Sequence, residues 1–306
     1  MPESPLTGQR FTLRQIESFT EIATHGGISA AAKRLSRTQS AVSMALADLE
    51  NALGVILFER RGRRLVRTEA AERLLPRAIE IVERAREIHH LVVPSQAGTT
   101  RIALGASRTI GPFVMPELIR ACRVKTPGLR TTLTVANSED LVRRIMDFAL
   151  DLAFVEGEVL DPTIHKQAWL SDQLCLFARH DHPLFAQGKS PHRNLSQWEW
   201  VLREPGSGTR EIFLRAIANT MSESPRVAME VNDADTQKRI VASSDWLGCM
   251  SRRVLPSDPR IEELREIPIP RSLQRSLTRR FWIIRHPDRF YTQTMAIVTA
   301  VATSFQ

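Results

Sequence analysis

The sequence predicts an α/β protein in three parts: a small helical head closed by a basic hairpin, a long helix, and a two-lobed α/β body. Three observations carry this prediction. Short amphipathic patterns separated by turn signals fill residues 1–68; apolar residues then recur at spacings of three and four; and beyond Arg101 strand-like and helical segments alternate.

In the head, Leu13, Ile16, Phe19 and Ala23 fall on one helical face, and Gly26-Gly27 ends that helix at His25. Ser29 is placed to cap a short second helix, Ala30 to Leu35, and Ser36-Arg37 makes a tight turn. Thr38 then caps a third helix, whose stripe Val42, Leu46, Leu49, Leu53 faces a core while Ser40, Ser43, Met44, Ala47 and Asn51 face away. Gly54 closes this helix. Val55–Phe58 and Leu65–Arg67 read as two strands around the turn Arg61-Gly62-Arg63-Arg64, which makes the head a winged helix-turn-helix.

A helix presenting Thr38, Gln39, Ser40, Ser43 and Met44 suits the width of a DNA major groove. Gln39 has the bidentate amide that pairs with adenine, the serines reach bases or phosphates, and Met44 can touch a thymine methyl. Arg61, Arg63 and Arg64 have two open tasks, neutralising phosphates or entering a narrow minor groove. Charge agrees: of the formal +8, from 42 Lys+Arg against 34 Asp+Glu, much sits between Lys33 and Arg67. That stretch holds Lys33, Arg34, Arg37, Arg60, Arg61, Arg63, Arg64 and Arg67 against Asp48, Glu50 and Glu59. Pattern alone leaves a second reading open, a three-helix core beside a solvated basic loop, because short helix-turn-helix patterns recur by chance.

From Glu69 the chain turns helical. Leu75, Ala78, Val82, Ala85, His89 and Val92, supported by Leu74, Ile81 and Ile88, suggest a coiled-coil seam, with Pro76 expected to kink or split it. Pro94 to Thr100 reads as a linker. In the body we expect strands at Arg101–Ala106, Leu129–Ala136 and Asp151–Val155, with helices from Ile110 and over Ser138–Ala149. A second lobe starts near Asp161-Pro162, with strands Gln173–Ala178, Val227–Val231 and Leu247–Met250; Arg265–Ile269 and Phe281–Arg285 lead back to the first lobe and a final helix.

Ser107 and Thr109 stand where a strand gives way to a helix, so hydroxyls and free amides converge on a place for an anion. Ser207 and Thr209, between and after Gly206 and Gly208, repeat the arrangement in the other lobe, and Asn137 and Ser138 add donors. Arg203 and Arg210 either join them or pair with Glu204 and Glu211. Three scattered cysteines, Cys122, Cys175 and Cys249, indicate neither disulfides nor a metal cluster, and His89-His90 and His180/His182 lack a third ligand. Ser207 lacks a nucleophile elbow, and Glu156 before Gly157 has no evident partner in the sequence. We therefore expect no catalytic residues, no metal and no cofactor. No apolar run approaches the length of a membrane span and no leader precedes the head, so a cytoplasmic protein without membrane contacts is expected.

Leu13-Arg14-Gln15-Ile16-Glu17-Ser18-Phe19, Ser29-Ala30-Ala31-Ala32-Lys33-Arg34-Leu35, Thr38-Gln39-Ser40-Ala41-Val42-Ser43, the run Leu49 to Arg60, and Arg67-Thr68-Glu69-Ala70 together resemble the N-terminal domain of LysR-type transcriptional regulators. The body is similar to that family's effector-binding domain, two α/β lobes resembling periplasmic binding proteins. It comes nearest the cysteine- and sulfur-regulation branch through Ala106 to Gly111, Asn137 to Asp140 and Leu202 to Glu211.

The resemblance implies a DNA-binding transcriptional regulator modulated by a small, anionic effector between the lobes. A ligand-independent architectural DNA-binding protein is the alternative. It assigns 1–68 to DNA binding, 69–98 to a dimerising linker helix and 99–306 to the effector domain, with lobe 1 at 99–160 and 267–306 and lobe 2 at 161–266. Implied partners are double-stranded promoter DNA, the effector, a second copy through the linker helix, a homotetramer through the α/β domains, and RNA polymerase. Three departures stand out: Met44 replaces a common arginine, Ala71 a common glycine, and Ser243 to Gly248 reads Ser-Ser-Asp-Trp-Leu-Gly where relatives are glycine-bearing. Trp246 and Asp245 there either reshape the cleft or pack elsewhere.

Overall fold

Thr12 starts the first helix by a reciprocal cap: its hydroxyl accepts from the Gln15 amide at 3.3 Å and the Gln15 side chain accepts from the Thr12 amide at 2.6 Å. The computed structural model describes residues 11–62, 64–92, 100–159, 161–187, 195–218, 224–255 and 264–305. The chain divides into two compact units, one carrying the elements up to Val92, the other those from Arg101 onward.

The first unit contains α1 (Leu13–His25), α2 (Ile28–Leu35), α3 (Gln39–Leu53), β1 (Phe58–Arg61), β2 (Arg64–Arg67) and α4 (Glu69–Val92). Phe19, Ile22, Val42, Leu46, Leu49 and Leu57 are buried together with Leu75, Ala78 and Val82 of α4. Each of these side chains larger than alanine contributes about 1.5–3 kcal/mol by leaving water. The α4 seam expected to meet a second helix is thus turned largely into this unit's own core, while Ile81 and Ile88 stay exposed. Pro76, the eighth residue of α4, does not break the helix, although it removes one N–H from the interior ladder.

The hairpin also differs from expectation. Pairing runs from Phe58↔Arg67 to Arg61↔Arg64, so the first strand starts at Phe58 rather than Val55. The Glu50 carboxylate explains the shift: it accepts from the amides of Leu57 and Phe58 at 2.7 and 3.2 Å, holding the chain off any strand partner until Phe58.

The second unit begins with β3 (Arg101–Ser107), α5 (Ile110–Phe113), α6 (Met115–Lys125), β4 (Arg130–Ala136), α7 (Ser138–Met146) and β5 (Leu152–Glu156). After β6 (His165–Arg179) come β7 (Glu199–Arg203), α8 (Gly208–Ala218), β8 (Arg226–Val231), α9 (Ala234–Ala242) and β9 (Leu247–Ser251). The last elements are β10 (Leu264–Glu266), α10 (Arg271–Ser276), β11 (Thr278–Arg285) and α11 (Gln293–Thr303). Among the described residues the strands join in the order β4-β3-β5-β11-β6-β9-β7-β8, with β10 beside β6. Pairing is parallel within each lobe, β4-β3-β5 and β9-β7-β8, and antiparallel along β11 and β6. These two antiparallel strands run from one lobe into the other; only the second half of β6 and most of β11 were expected. The strand β7 and the helix α9 were not expected at all.

Two cores flank this passage, one around Leu104, Phe154 and Phe281, the other around Leu176, Trp200 and Phe213. The parallel strands of both lobes therefore point their carboxyl ends, at Ser107, Glu156, Arg203 and Ser251, toward the crevice between the lobes, where ligands of open parallel sheets bind.

Candidate functional site

The α3 face comes first. Thr38 caps the helix, its hydroxyl accepting from the Ala41 amide at 3.2 Å, and Gly54 closes it with φ 66°. Burying Val42, Leu46 and Leu49 leaves Thr38, Gln39, Ser40, Ser43 and Met44 exposed, Met44 at 67%. The Gln39 carbonyl oxygen accepts from Ser29 at 3.0 Å, which steadies its amide.

The cationic stretch divides. Arg34 and Arg37 pair with Glu21 and Glu17 of α1 at 2.8 and 3.1 Å, and Arg67 with Glu72 at 2.9 Å, so these three brace the unit. Lys33, Arg60, Arg61 and Arg64 are exposed, Arg61 lying 3.8 Å from Glu59. Arg63 lies outside the described residues.

In the second unit, Ser107, Thr109, Ser207 and Thr209 are all buried at the carboxyl ends of the strands. Three of these hydroxyls are already engaged. Ser107, Thr109 and Thr209 donate to the Glu156 carboxylate at 2.9, 3.1 and 3.2 Å. Arg279 of β11 completes the cluster, reaching Glu156 at 3.2 Å, the Thr209 hydroxyl at 2.9 Å and Asp172 at 2.6 Å. Ser251 donates to the other Asp172 oxygen at 2.7 Å. Burial favours loss of the Arg279 proton, but the two carboxylates outweigh it and hold this guanidinium's pKa above its ordinary value.

Ser138 donates to the Glu156 carbonyl at 3.0 Å, and the Asn137 side-chain oxygen accepts from the Asp140 amide at 2.9 Å, capping α7. Ser207 differs. It is 1% exposed, stands just before α8, and its hydroxyl has no hydrogen-bond partner. Arg108 Nε is likewise buried without a hydrogen bond, 3.6 Å from Glu204. An unsatisfied buried polar group costs about 1–3 kcal/mol, so each of these two calls for an explanation.

Arg203 is held by Glu204 at 2.8 Å and Arg210 by Glu230 at 2.6 Å, so both arginines take the ion-pair role, Arg210 with a different acid than expected. Asp245 pairs with Arg179 at 2.7 Å, and the Trp246 indole donates to Glu199 at 3.1 Å. Both sit at the amino-terminal side of β9 and β7, opposite the ends that face the crevice, so neither reshapes it.

Residues 13–72 match the family described as "Bacterial regulatory helix-turn-helix protein, lysR family", and residues 95–302 match "LysR substrate binding domain". The chain belongs to the LysR family. It is 37% identical over 286 residues to the HTH-type transcriptional regulator YeiE of Escherichia coli (strain K12), covering 93% of this chain and 94% of that one. It is 26% identical over 298 residues to the HTH-type transcriptional regulator CysL of Bacillus subtilis (strain 168), covering 95% and 97%. A full-length OxyR variant from Pseudomonas aeruginosa shares the fold, with a TM-score of 0.74 at 19% identity over 96% and 95% of the two chains.

This LysR-family protein is a DNA-binding transcriptional regulator with an effector-binding domain, and not an enzyme. No described helix is long and apolar enough to cross a membrane, and the described His, Cys, Asp and Glu residues form no group able to hold a metal ion. Its three cysteines are buried, Cys175 pushed up to about 12 by desolvation, which suits packing rather than thiolate chemistry. Sequence reasoning missed Glu156, Arg279 and Arg108 as parts of the crevice. The partners of Glu156 come from positions 47, 49 and 53 residues away, a juxtaposition no local spacing reveals.

Proposed function

We propose that the crevice of this regulator senses a small oxyanion held by the Ser207 hydroxyl, Arg108 and the first amides of α8, and that occupancy resets its contacts with promoter DNA. The orphaned Ser207 hydroxyl at the start of α8 carries this reading, with Arg108 Nε, 3.6 Å from Glu204, as a second buried donor atom without a hydrogen bond. Both are donors, both are out of water, and a helix start adds more donors of the same sign. Asn137 lies close by, its amide nitrogen 3.4 Å from where a Cβ on Gly206 would stand. Ser107, Thr109 and Thr209 serve as the rigid back of the site through Glu156, and Ser138 ties the two lobe-1 loops together.

Glu156 also filters ligands. Like charges about 4 Å apart repel by about 4 kcal/mol at a partly screened protein site. An oxyanion that keeps a proton to donate is therefore favoured over a fully ionised one.

Gln39, Ser40, Ser43 and Met44, capped by Thr38, read bases and adjoining phosphates, while Arg61, Arg63 and Arg64 meet phosphates or the neighbouring minor groove. The chain works as a dimer through Ile81 and Ile88, exposed on α4 and seven residues apart, and as a tetramer through its α/β units. It acts in the cytoplasm, with RNA polymerase as a protein partner.

The test is footprinting and calorimetry on the full chain with bisulfite, sulfate, phosphate and acetate. Heat of binding that Ser207→Ala removes, with a footprint that changes only when ligand binds, supports the reading. The satisfied hydroxyls of Ser107, Thr109 and Thr209 favour one second reading, a crevice complete without a ligand in an architectural DNA binder; footprints indifferent to every anion would establish it.

A further inference from the structure

A second concavity lies beside the Arg279 cluster. It is a cavity of about 400 Å³ between α8 and β11, and none of Ser107, Thr109, Asn137, Ser138, Ser207 or Thr209 lines it. Its walls combine an apolar side, Ile212 and Ala216 of α8, with the half-buried indole of Trp282 and the guanidiniums of Arg215 and Arg280. That volume is in the range of small-molecule sites, which are characteristically apolar with a few convergent polar groups.

Charge decides the ligand class. Arg280 is exposed and makes no ion pair among the described residues. Arg215 binds Glu158 at 2.8 Å, but both are more than half exposed, so the pair is weak and exchangeable. Lys166 lies over the Trp282 ring, 5.7 Å from its centroid. The neighbouring acids are Glu158, Glu211, whose pKa burial holds above its usual value, and Glu156 and Asp172, which are engaged by Arg279 at 3.2 and 2.6 Å. Among the residues that line the cavity, Arg215, Arg279 and Arg280 against Glu158, the excess is cationic, next to a flat aromatic wall.

We propose that this cavity is a second ligand site, for an aromatic monocarboxylate whose ring lies against Trp282, Ile212 and Ala216 and whose carboxylate joins Arg280 and Arg215. Planar guanidiniums match a carboxylate fork and the ring gains dispersion against the indole. Glu158 follows β5 in one lobe and Arg215 belongs to α8 in the other, so the ligand replaces Glu158 in an ion pair that bridges the lobes. Arg279 lines this cavity and also reaches Thr109 and Thr209, which gives the two sites a common wall.

The probe is benzoate, with benzamide as its neutral isostere, titrated into the full chain by calorimetry. Saturable benzoate binding is expected, weakened roughly tenfold or more by Arg280→Gln, as for a lost charge-assisted hydrogen bond. Glu158→Gln is expected to tighten it, a gain that a misfolded variant cannot produce, and Ser207→Ala to leave it unchanged. The assignment is overturned by absence of saturable benzoate binding, by equal affinity for benzamide, by indifference to Arg280→Gln or Glu158→Gln, or by loss in Ser207→Ala, which would place the acid in the crevice. Anion binding in the crevice is read separately with bisulfite, so failure of either site leaves the other standing.

Discussion

A buried carboxylate that accepts from three hydroxyls and an arginine, as Glu156 does, behaves as an anion the protein supplies to itself. Counting charges, Glu156 and Asp172 against Arg279 leave one negative charge in the buried cluster, eased by Arg253 at 3.7 Å from Asp172. Removing the cation is therefore the costly change. Arg279→Met is expected to lower unfolding free energy by about 3–5 kcal/mol in urea melts, since two carboxylates then stay buried without the guanidinium they share. Glu156→Gln keeps a hydroxyl acceptor while deleting the charge; in calorimetry it should relax the preference for protonated anions and let sulfate bind. The sequence offered the six polar residues at the strand ends but not the acid that ties three of them together. Polar residues at strand-to-helix junctions are a local signal, whereas a shared partner from a distant strand is not.

At the scale of elements, α4 shows how periodicity is legible and its direction is not. Both Leu75/Ala78/Val82 and Leu74/Ile81/Ile88 fit helical repeats, and only packing assigns the first set, with half-buried Leu74 against it, to the unit's own core. The exposed Ile81 and Ile88 are left for a partner helix: Ile81→Asp with Ile88→Asp should shift the dimer toward monomer in sedimentation equilibrium with helicity unchanged. The recognition helix was more legible, because caps and apolar spacing are short-range signals. Gln39→Ala should relax sequence preference, whereas Arg61→Ala should weaken binding to all sequences and lower the salt slope by about 1. On the far lobe, Asp233 caps α9 by accepting from the Thr236 amide at 2.7 Å. Burial pushes its carboxyl up, but the Thr236 bonds and nearby arginines prevail and its folded pKa is lowered. A lowered folded pKa means the cap's contribution is present above the unfolded pKa and is lost as pH falls through the folded value. Asp233→Ala should cost about 1 kcal/mol at neutral pH, with the difference from the parent fading on acidification.

For the molecule as a whole, the long β6 was half hidden because its first half reads His-Lys-Gln-Ala-Trp-Leu-Ser-Asp, polar enough to pass for a loop. It is polar because it crosses between two lobes instead of lying inside one, and Asp172 within it anchors Arg279. Where the lobes meet, backbone touches backbone: a Cβ on Gly208 would stand 2.3 Å from the Glu156 carbonyl oxygen and 2.9 Å from its carbon. Gly157, with φ +88°, faces it across the seam, its own Cβ position 3.2 Å from the Gly208 Cα. No side-chain rotation relieves a clash with main chain, so Gly208→Ala must push the start of α8 away from β5. Thr209 then loses its reach to Glu156, and Ser207 shifts with the helix start. The expected result is a loss of about 1–3 kcal/mol in stability and of bisulfite binding. Operator affinity without ligand should persist, since the packed residues of α1, α3 and α4 take nothing from α8. If Gly208→Ala instead abolishes operator binding at unchanged oligomeric state, measured by footprinting alongside sedimentation, then contact between the lobes is itself a condition of the DNA-binding state and the effector acts by completing that contact.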